Sequence, residues 1–281
     1  MNETEKIIEK ALKEDIKTGD ITTEIFVDKN AKFKGILISK DNGILCGIDF
    51  AEMCFKKLNS KARIKKLKKD GEFITKKEII AEILSDRTIL SAERTALNII
   101  QRLSGIATKT YEFARLSRNY GVEVFDTRKT GPNFRIMEKY AVSCGGGTNH
   151  RFGLYDAFMI KDNHISSFKN IKEIEKKISI ARRLHPQKEI EIEAESLKQV
   201  RDFIDMDIDV IMLDNMDLKT AKKAINLIRA KRKDIEIELS GGIDEKNFIN
   251  YLKLRPDRIS IGALTHSYKS LDISLEIERI K

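Results

Sequence analysis

A chain of 281 residues with 41% hydrophobic and 35% charged residues has enough apolar material for one large domain or two unequal ones. Its formal charge of +9 is spread as lysines beside glutamates along nearly every segment. Without basic blocks interleaved with aromatics, a nucleic-acid partner is not expected. No apolar run approaches the ~18 to 20 residues of a membrane span, and charged Glu3, Glu5 and Lys6 stand where a signal core would be apolar. Cys46, Cys54 and Cys144 lack disulfide-framework or zinc spacing, so a cytoplasmic protein with reduced thiols is expected.

Asn2 is placed to cap a first helix, with Glu5 three residues on and Ile7, Ile8, Ala11 and Leu12 on one face. Strand-like runs follow at residues 33–39, 44–48 and 78–84. Asp41-Asn42-Gly43 supplies a hairpin turn, and residues 50–58 have helical spacing. Residues 88–119 are helical by period, interrupted near Ser104-Gly105, and a domain boundary is expected there. The organisation expected is residues 1–105 as one domain and 106–265 as a second.

After Tyr120 the rhythm becomes strand, helix, strand. Strands are expected at 122–125, 157–160, 189–192, 210–213, 235–239 and 258–261, with amphipathic helices at 165–184 and 218–232. Such alternation implies parallel strands with right-handed crossovers. Too few units are present for an eightfold barrel, so the expected class is α/β with an incomplete (β/α) barrel.

A polar group closes each expected strand: Asp126 and Arg128, Lys161, Glu193, Asp214, Ser240-Gly241-Gly242, and Gly262 after Ile261. An Asp after a strand usually caps the next helix, and Gly-Gly usually makes a turn. Recurrence after six strands points instead to one shared rim, where parallel barrels handle ligands. Backbone N–H groups at Ser240-Gly241-Gly242 and Ile261-Gly262-Ala263 suit a phosphate. Arg128, Arg151 and Lys161 supply fixed positive charge for carboxylates. Glu193 and Asp214 are suited to ribose hydroxyls, to a magnesium ion, or to a developing positive charge.

These residues carry a resemblance to the quinolinate phosphoribosyltransferase family. It runs through Thr18-Gly19-Asp20-Ile21-Thr22-Thr23, Glu93-Arg94-Thr95-Ala96-Leu97-Asn98, Ser104-Gly105-Ile106-Ala107-Thr108 and the block from Asp126 to His164. It continues through Glu191-Ile192-Glu193, Met212-Leu213-Asp214-Asn215, Ser240-Gly241-Gly242 and Ile261-Gly262-Ala263-Leu264-Thr265. The resemblance implies an amino-terminal α/β sandwich, joined by the carboxyl-terminal tail (residues 266–281), on an incomplete barrel, in a homodimer. It implies quinolinate held by Arg128, His150, Arg151 and Lys161, with Arg94 from the partner subunit. Lys129, Glu193, Asp214, Ser240, Gly241, Gly242, Ile261 and Gly262 fall on the phosphoribosyl pyrophosphate side, with Lys129, Glu193 and Asp214 as the catalytic set, and Thr127 is a further substrate-binding residue.

The reaction implied joins quinolinate to the ribose and expels pyrophosphate and carbon dioxide, giving nicotinate mononucleotide. Mg2+ travels with the pyrophosphate, supported indirectly by Glu193 and Asp214. Two departures from the family pattern bear on loop shape: Gly131-Pro132-Asn133-Phe134 after Thr130, and Gly242 where many members have Asn. A paralogous group associated with molybdate transport shares the Thr-Arg-Lys-Thr and His-Arg pattern, but Asp126, Asn149 and Lys161-Asp162-Asn163-His164 favour the quinolinate enzyme. Asn163 and His164 stand where they could orient Lys161. Cys144 is expected to pack, since this reaction needs no covalent intermediate.

Overall fold

The computed structural model describes residues 3–280, so the expected cap at Asn2 lies outside the described residues. The chain gathers into two compact units. The first comprises Met1–Tyr111, Thr130–Gly146 and Leu264–Lys281, and the second Glu112–Lys129 and Gly147–Ala263.

In the first unit, α1 (Glu3–Ile16) buries Ile8 and Leu12. The short α2 (Ile21–Phe26) begins where the Asp20 carboxylate accepts the Thr23 N–H at 3.0 Å. Strand β1 (Lys32–Ser39) alternates exposed or half-buried with buried residues, which places one face on the core. After β2 (Gly43–Ile44) come α3 (Ile48–Leu58), β3 (Arg63–Lys66), β4 (Phe73–Ile74) and β5 (Ile79–Asp86). The hairpin expected at Asp41-Asn42-Gly43 does not form, because β1 pairs with β5 while β2 pairs with β4 in a separate ribbon. The strand expected at 44–48 stops at Ile44, since Gly47 takes a left-handed φ of +97° and starts α3.

Helix α4 (Thr88–Ser117) runs unbroken through Ser104-Gly105, against expectation. A β-carbon on Gly105 would lie 2.3 Å from the Lys269 carbonyl oxygen, so this glycine marks a close backbone approach and not a helix end. The expected helix at 165–184 is two helices, α6 (Asp162–Ile165) and α7 (Ile171–Leu184), because the Asn170 side chain accepts the Glu173 N–H and begins a new one.

The second unit is built on strands β6 (Glu123–Phe125), β7 (Phe158–Ile160), β8 (Ile190–Ala194), β9 (Val210–Asp214), β10 (Glu236–Ser240) and β11 (Arg258–Ser260). Its order is β6-β11-β10-β9-β8-β7, with every pairing parallel. This is the six-stranded incomplete barrel the strand rhythm predicts. Both faces of β8 are buried, as a sheet covered on two sides requires. Helices α8 (Leu197–Phe203) and α9 (Leu218–Lys231) are capped by Ser196 and Asp217. Ala221, Ala224, Ile225 and Ile228 form the buried stripe of α9. The remaining elements are α5 (Arg135–Cys144), α10 (Phe248–Leu252), α11 (Ala263–His266) and β12 (Ile273–Ile280), which pairs antiparallel with β1.

Candidate active site

Parallel strands put the carboxyl ends of β6 to β11 on one edge of the sheet, and the polar residues that follow those strands in the sequence fall there. Asp214 ends β9 and Ser240 ends β10. Capping of α9 falls to Asp217, whose Oδ1 accepts the Thr220 N–H at 2.8 Å, and this leaves Asp214 to the rim. One Asp214 oxygen accepts the Asn215 side-chain amide at 2.7 Å.

Lys161 follows β7, and its Nζ lies 2.5 Å from Oε1 of Glu193 on the neighbouring β8. The Lys161 N–H donates to His164 Nδ1 at 3.0 Å, so His164 fixes the backbone from which Lys161 projects. Arg128 is half-buried and Arg151 buried, and the Nε of each is enclosed without a hydrogen-bond partner. Burial, then the neighbouring Arg128 cation, moves the Arg151 pKa down. Two guanidiniums this close, with donors unspent, make a place for an anion. Arg151 is steadied by the Ala157 carbonyl, which accepts from Nη1 at 3.2 Å.

His150 is held from three sides. Its backbone N–H donates to the buried Asp126 carboxylate at 2.8 Å, and its Nδ1 accepts the Arg151 N–H at 2.8 Å. Its Nε2 lies 3.0 Å from Glu191 Oε2 and 3.4 Å from Glu238 Oε2, both fully buried. Burial disfavours charge on the ring, but the two carboxylates outweigh it and move the His150 pKa up. The Arg151 N–H works against them, because it needs the Nδ1 lone pair. Burial, then the Glu238 charge, pushes Glu191 up to about 7.

Arg258 closes this layer, with Nε 3.5 Å from Glu238 and Nη2 3.0 Å from Glu189 and 3.1 Å from Glu236. His150, Glu191 and Glu238 are a donor set of metal-binding type. With Arg258 balancing the charge, the cluster is an ionic floor beneath the rim. Sequence reasoning missed Glu238 and Arg258 as participants. The signal was the Glu-Ile-Glu alternation of β8 and β10, which in a sheet covered on both faces must turn glutamates inward.

The turn after β10 is built from two left-handed glycines, Gly241 (φ +90°) and Gly242 (φ +62°). A β-carbon on Gly241 would lie 2.2 Å from the Asn215 side-chain oxygen, whereas one on Gly242 meets open space. After β11, the Ile261 N–H donates to the Phe125 carbonyl at 2.9 Å and carries the chain on to Gly262. Thr127 Oγ1 accepts the Lys129 N–H at 3.1 Å, and Lys129 itself is exposed. Arg94 belongs to the first unit, where it is exposed on α4 and lines a hollow with Glu14, Asn98, Arg102 and Tyr268.

An incomplete parallel barrel whose carboxyl edge carries a lysine, two carboxylates and a glycine turn, with two neighbouring guanidiniums, belongs to the class of α/β barrel proteins that hold anionic small molecules. Residues 20–104 match the model of the quinolinate phosphoribosyl transferase amino-terminal domain, and residues 106–276 that of the carboxyl-terminal domain. The chain belongs to the quinolinate phosphoribosyltransferase family.

Among its relatives, the probable nicotinate-nucleotide pyrophosphorylase (carboxylating) of Methanocaldococcus jannaschii is 42% identical, over 98% of this chain and 97% of the relative. The protein of the same description from Bacillus subtilis is 42% identical, over 97% and 92%. The solved structure of the nicotinate-nucleotide pyrophosphorylase from Francisella tularensis superposes with a TM-score of 0.91 at 38% identity, covering 98% of this chain and 96% of that one.

Proposed function

We propose that this protein transfers the phosphoribosyl group of phosphoribosyl pyrophosphate to the ring nitrogen of quinolinate. The carboxylate beside that nitrogen then leaves as carbon dioxide, giving nicotinate mononucleotide in de novo NAD biosynthesis. The observation that carries this reading is the Arg128–Arg151 pair, two neighbouring cations with enclosed, unspent donors, which suits a dicarboxylate far better than a monoanion.

In this reading Arg128, Arg151 and Lys161 take the two carboxylates. His150, whose ring nitrogens already face Arg151 and the glutamates, contributes by placing Arg151. Glu193 and Asp214 face the ribose as it gains positive charge, and preorganised carboxylates stabilise such a state without rearranging. Lys129, Thr127, the Ser240-Gly241-Gly242 turn and the Ile261-Gly262 backbone receive the phosphates. Magnesium bound to the pyrophosphate supplies charge neutralisation, and the hard oxygen donors of Glu193 and Asp214 fit that ion. Lys161 shifts from Glu193 to the substrate carboxylate as the site fills. Once substituted, the ring nitrogen is cationic and accepts the electron pair left when the C–C bond to carbon dioxide breaks.

Arg94 joins the carboxylate set from the partner of a homodimer. An exposed arginine without an ion-pair partner among the described residues supports that role. No helix among the described residues is long and apolar enough to cross a membrane. The test is incubation with quinolinate, phosphoribosyl pyrophosphate and magnesium, followed by chromatography for nicotinate mononucleotide. Equal turnover with nicotinate in place of quinolinate would overturn the reading.

A further inference from the structure

The first unit contains reactive groups that phosphoribosyl transfer does not use. Cys46 follows β2, and Cys144 is the last residue of α5. Their sulfurs and an Asp70 carboxylate oxygen all lie within 4.8 Å of one another. We propose that Cys46 and Cys144 form an oxidisable dithiol, in which Cys144 attacks the oxidant and Cys46 resolves the product to an intramolecular disulfide.

Both cysteines are anchored on the same helix, α4. The Cys46 N–H donates to Ser104 Oγ at 2.9 Å, and the Ser104 hydroxyl contacts the Cys46 carbonyl at 3.2 Å, which clamps this residue between donor and acceptor. One turn along α4, Gly145 packs so tightly that a β-carbon would lie 2.3 Å from the Ala107 carbonyl oxygen and 2.6 Å from Thr110. That approach fixes the backbone immediately after Cys144. Both backbones are thus pinned one turn apart on one helix, which holds the two sulfurs within 4.8 Å of each other, and a disulfide draws them to about 2.05 Å.

Exposure separates the roles. Cys46 is fully buried and Cys144 half-buried, so a small oxidant meets Cys144 first. The Cys46 thiol beside it moves the Cys144 pKa down despite burial. Burial moves the Cys46 pKa up, and pushes that of the remaining cysteine, Cys54, up to about 12. The thiolate is the reacting form, so Cys144 is the attacking sulfur. Asp70 lies beside the two sulfurs, with Oδ1 accepting the Ile48 N–H at 3.1 Å and Oδ2 the Tyr140 hydroxyl at 2.9 Å.

With hydrogen peroxide as oxidant, the Cys144 thiolate attacks one peroxide oxygen, the O–O bond breaks, and hydroxide leaves to become water. The resulting Cys144 sulfenic acid condenses with the Cys46 thiol, forming the S–S bond and releasing a second water. Two thiols lose two electrons and peroxide is reduced to two waters. A dithiol reductant reverses the reaction by exchange.

The experiment treats the full chain with hydrogen peroxide, then counts free thiols after denaturation and measures the intact mass. The expected result is loss of two of the three thiols, a mass decrease of two hydrogens, and a peptide map joining Cys46 to Cys144, all reversed by dithiothreitol. Cys54→Ser should behave as the parent. Cys46→Ala should stop at a Cys144 sulfenic acid that dimedone traps. Three thiols remaining after treatment, a cross-link through Cys54, or dimedone labelling of Cys46 in a Cys144→Ser variant would each overturn the proposal. Circular dichroism of each variant guards against misfolding, and no readout depends on enzyme activity.

Discussion

Lys161 Nζ and Glu193 Oε1 lie 2.5 Å apart, joining the end of β7 to the end of β8. The pair ties a cation assigned to the substrate acid to a carboxylate assigned to the ribose. Removing the carboxylate should therefore free Lys161 for quinolinate while leaving the developing ribose charge unopposed. We expect Glu193→Ala and Asp214→Ala to lower kcat by about tenfold to a thousandfold, with a smaller change in quinolinate KM. Steady-state kinetics at equal melting temperature checks this, and unchanged turnover in both would remove these residues from the mechanism.

Quinolinate brings two carboxylates to the Arg128, Arg151 and Lys161 set, and nicotinate one. Leaving an enclosed cation unmatched costs about 2 to 5 kcal/mol, or some 30-fold to several-thousand-fold in affinity. Calorimetry should show quinolinate preferred over nicotinate by a factor in that range. Arg128→Ala or Arg151→Ala should narrow it, raising quinolinate KM more than that for phosphoribosyl pyrophosphate.

The two glycines after β10 should differ in their tolerance of substitution. Gly241→Ala puts a methyl 2.2 Å from the Asn215 side-chain oxygen at a φ of +90°, so a loss of about 1 to 3 kcal/mol in stability is expected. Gly242→Asn, which restores the residue many family members carry, has open space and a left-handed φ of +62° that Asn tolerates. Denaturant titration should place it within about 0.5 kcal/mol of the parent.

In the folded protein burial, and then the Glu238 charge, pushes the Glu191 pKa from its ordinary 4.5 up to about 7. The folded state thus holds this proton more tightly than the unfolded chain. Between about pH 4.5 and 7 the unfolded chain has released it and the folded one has not, so this group's contribution to stability falls as pH rises. Glu191→Gln, which mimics the protonated acid, should grow more stable relative to the parent across that window. A constant difference, measured by denaturant titration at several pH values, would contradict this.

If Arg94 serves the neighbouring subunit's site, an inactive Arg94→Ala chain mixed with an inactive Lys161→Ala chain should regain activity on subunit exchange. The mixed dimer assembles one site with both residues intact. Exchange shown by mass spectrometry without recovered activity would place Arg94 elsewhere.

Sequence alone determined the strand–helix alternation after Tyr120 and the polar residue at each strand end. Both are local: apolar periodicity sets the element, and parallel pairing sends all carboxyl ends to one edge. It also carried the family motifs, which are short runs of adjacent residues. Tertiary structure decided what depended on partners distant in the chain. Gly105 has the signature of a helix break until the Lys269 carbonyl is seen against it. Asp41-Asn42-Gly43 has the composition of a hairpin turn, but pairing of β1 with β5 and β12 sends its flanking segments to different sheets. The floor of His150, Glu191, Glu238 and Arg258 is drawn from β8, β10, β11 and the loop before β7. Alternating Glu and Ile ordinarily marks a strand with one face in water, and only the tertiary fold buries Glu191 and Glu238, where burial obliges them to find His150 and Arg258.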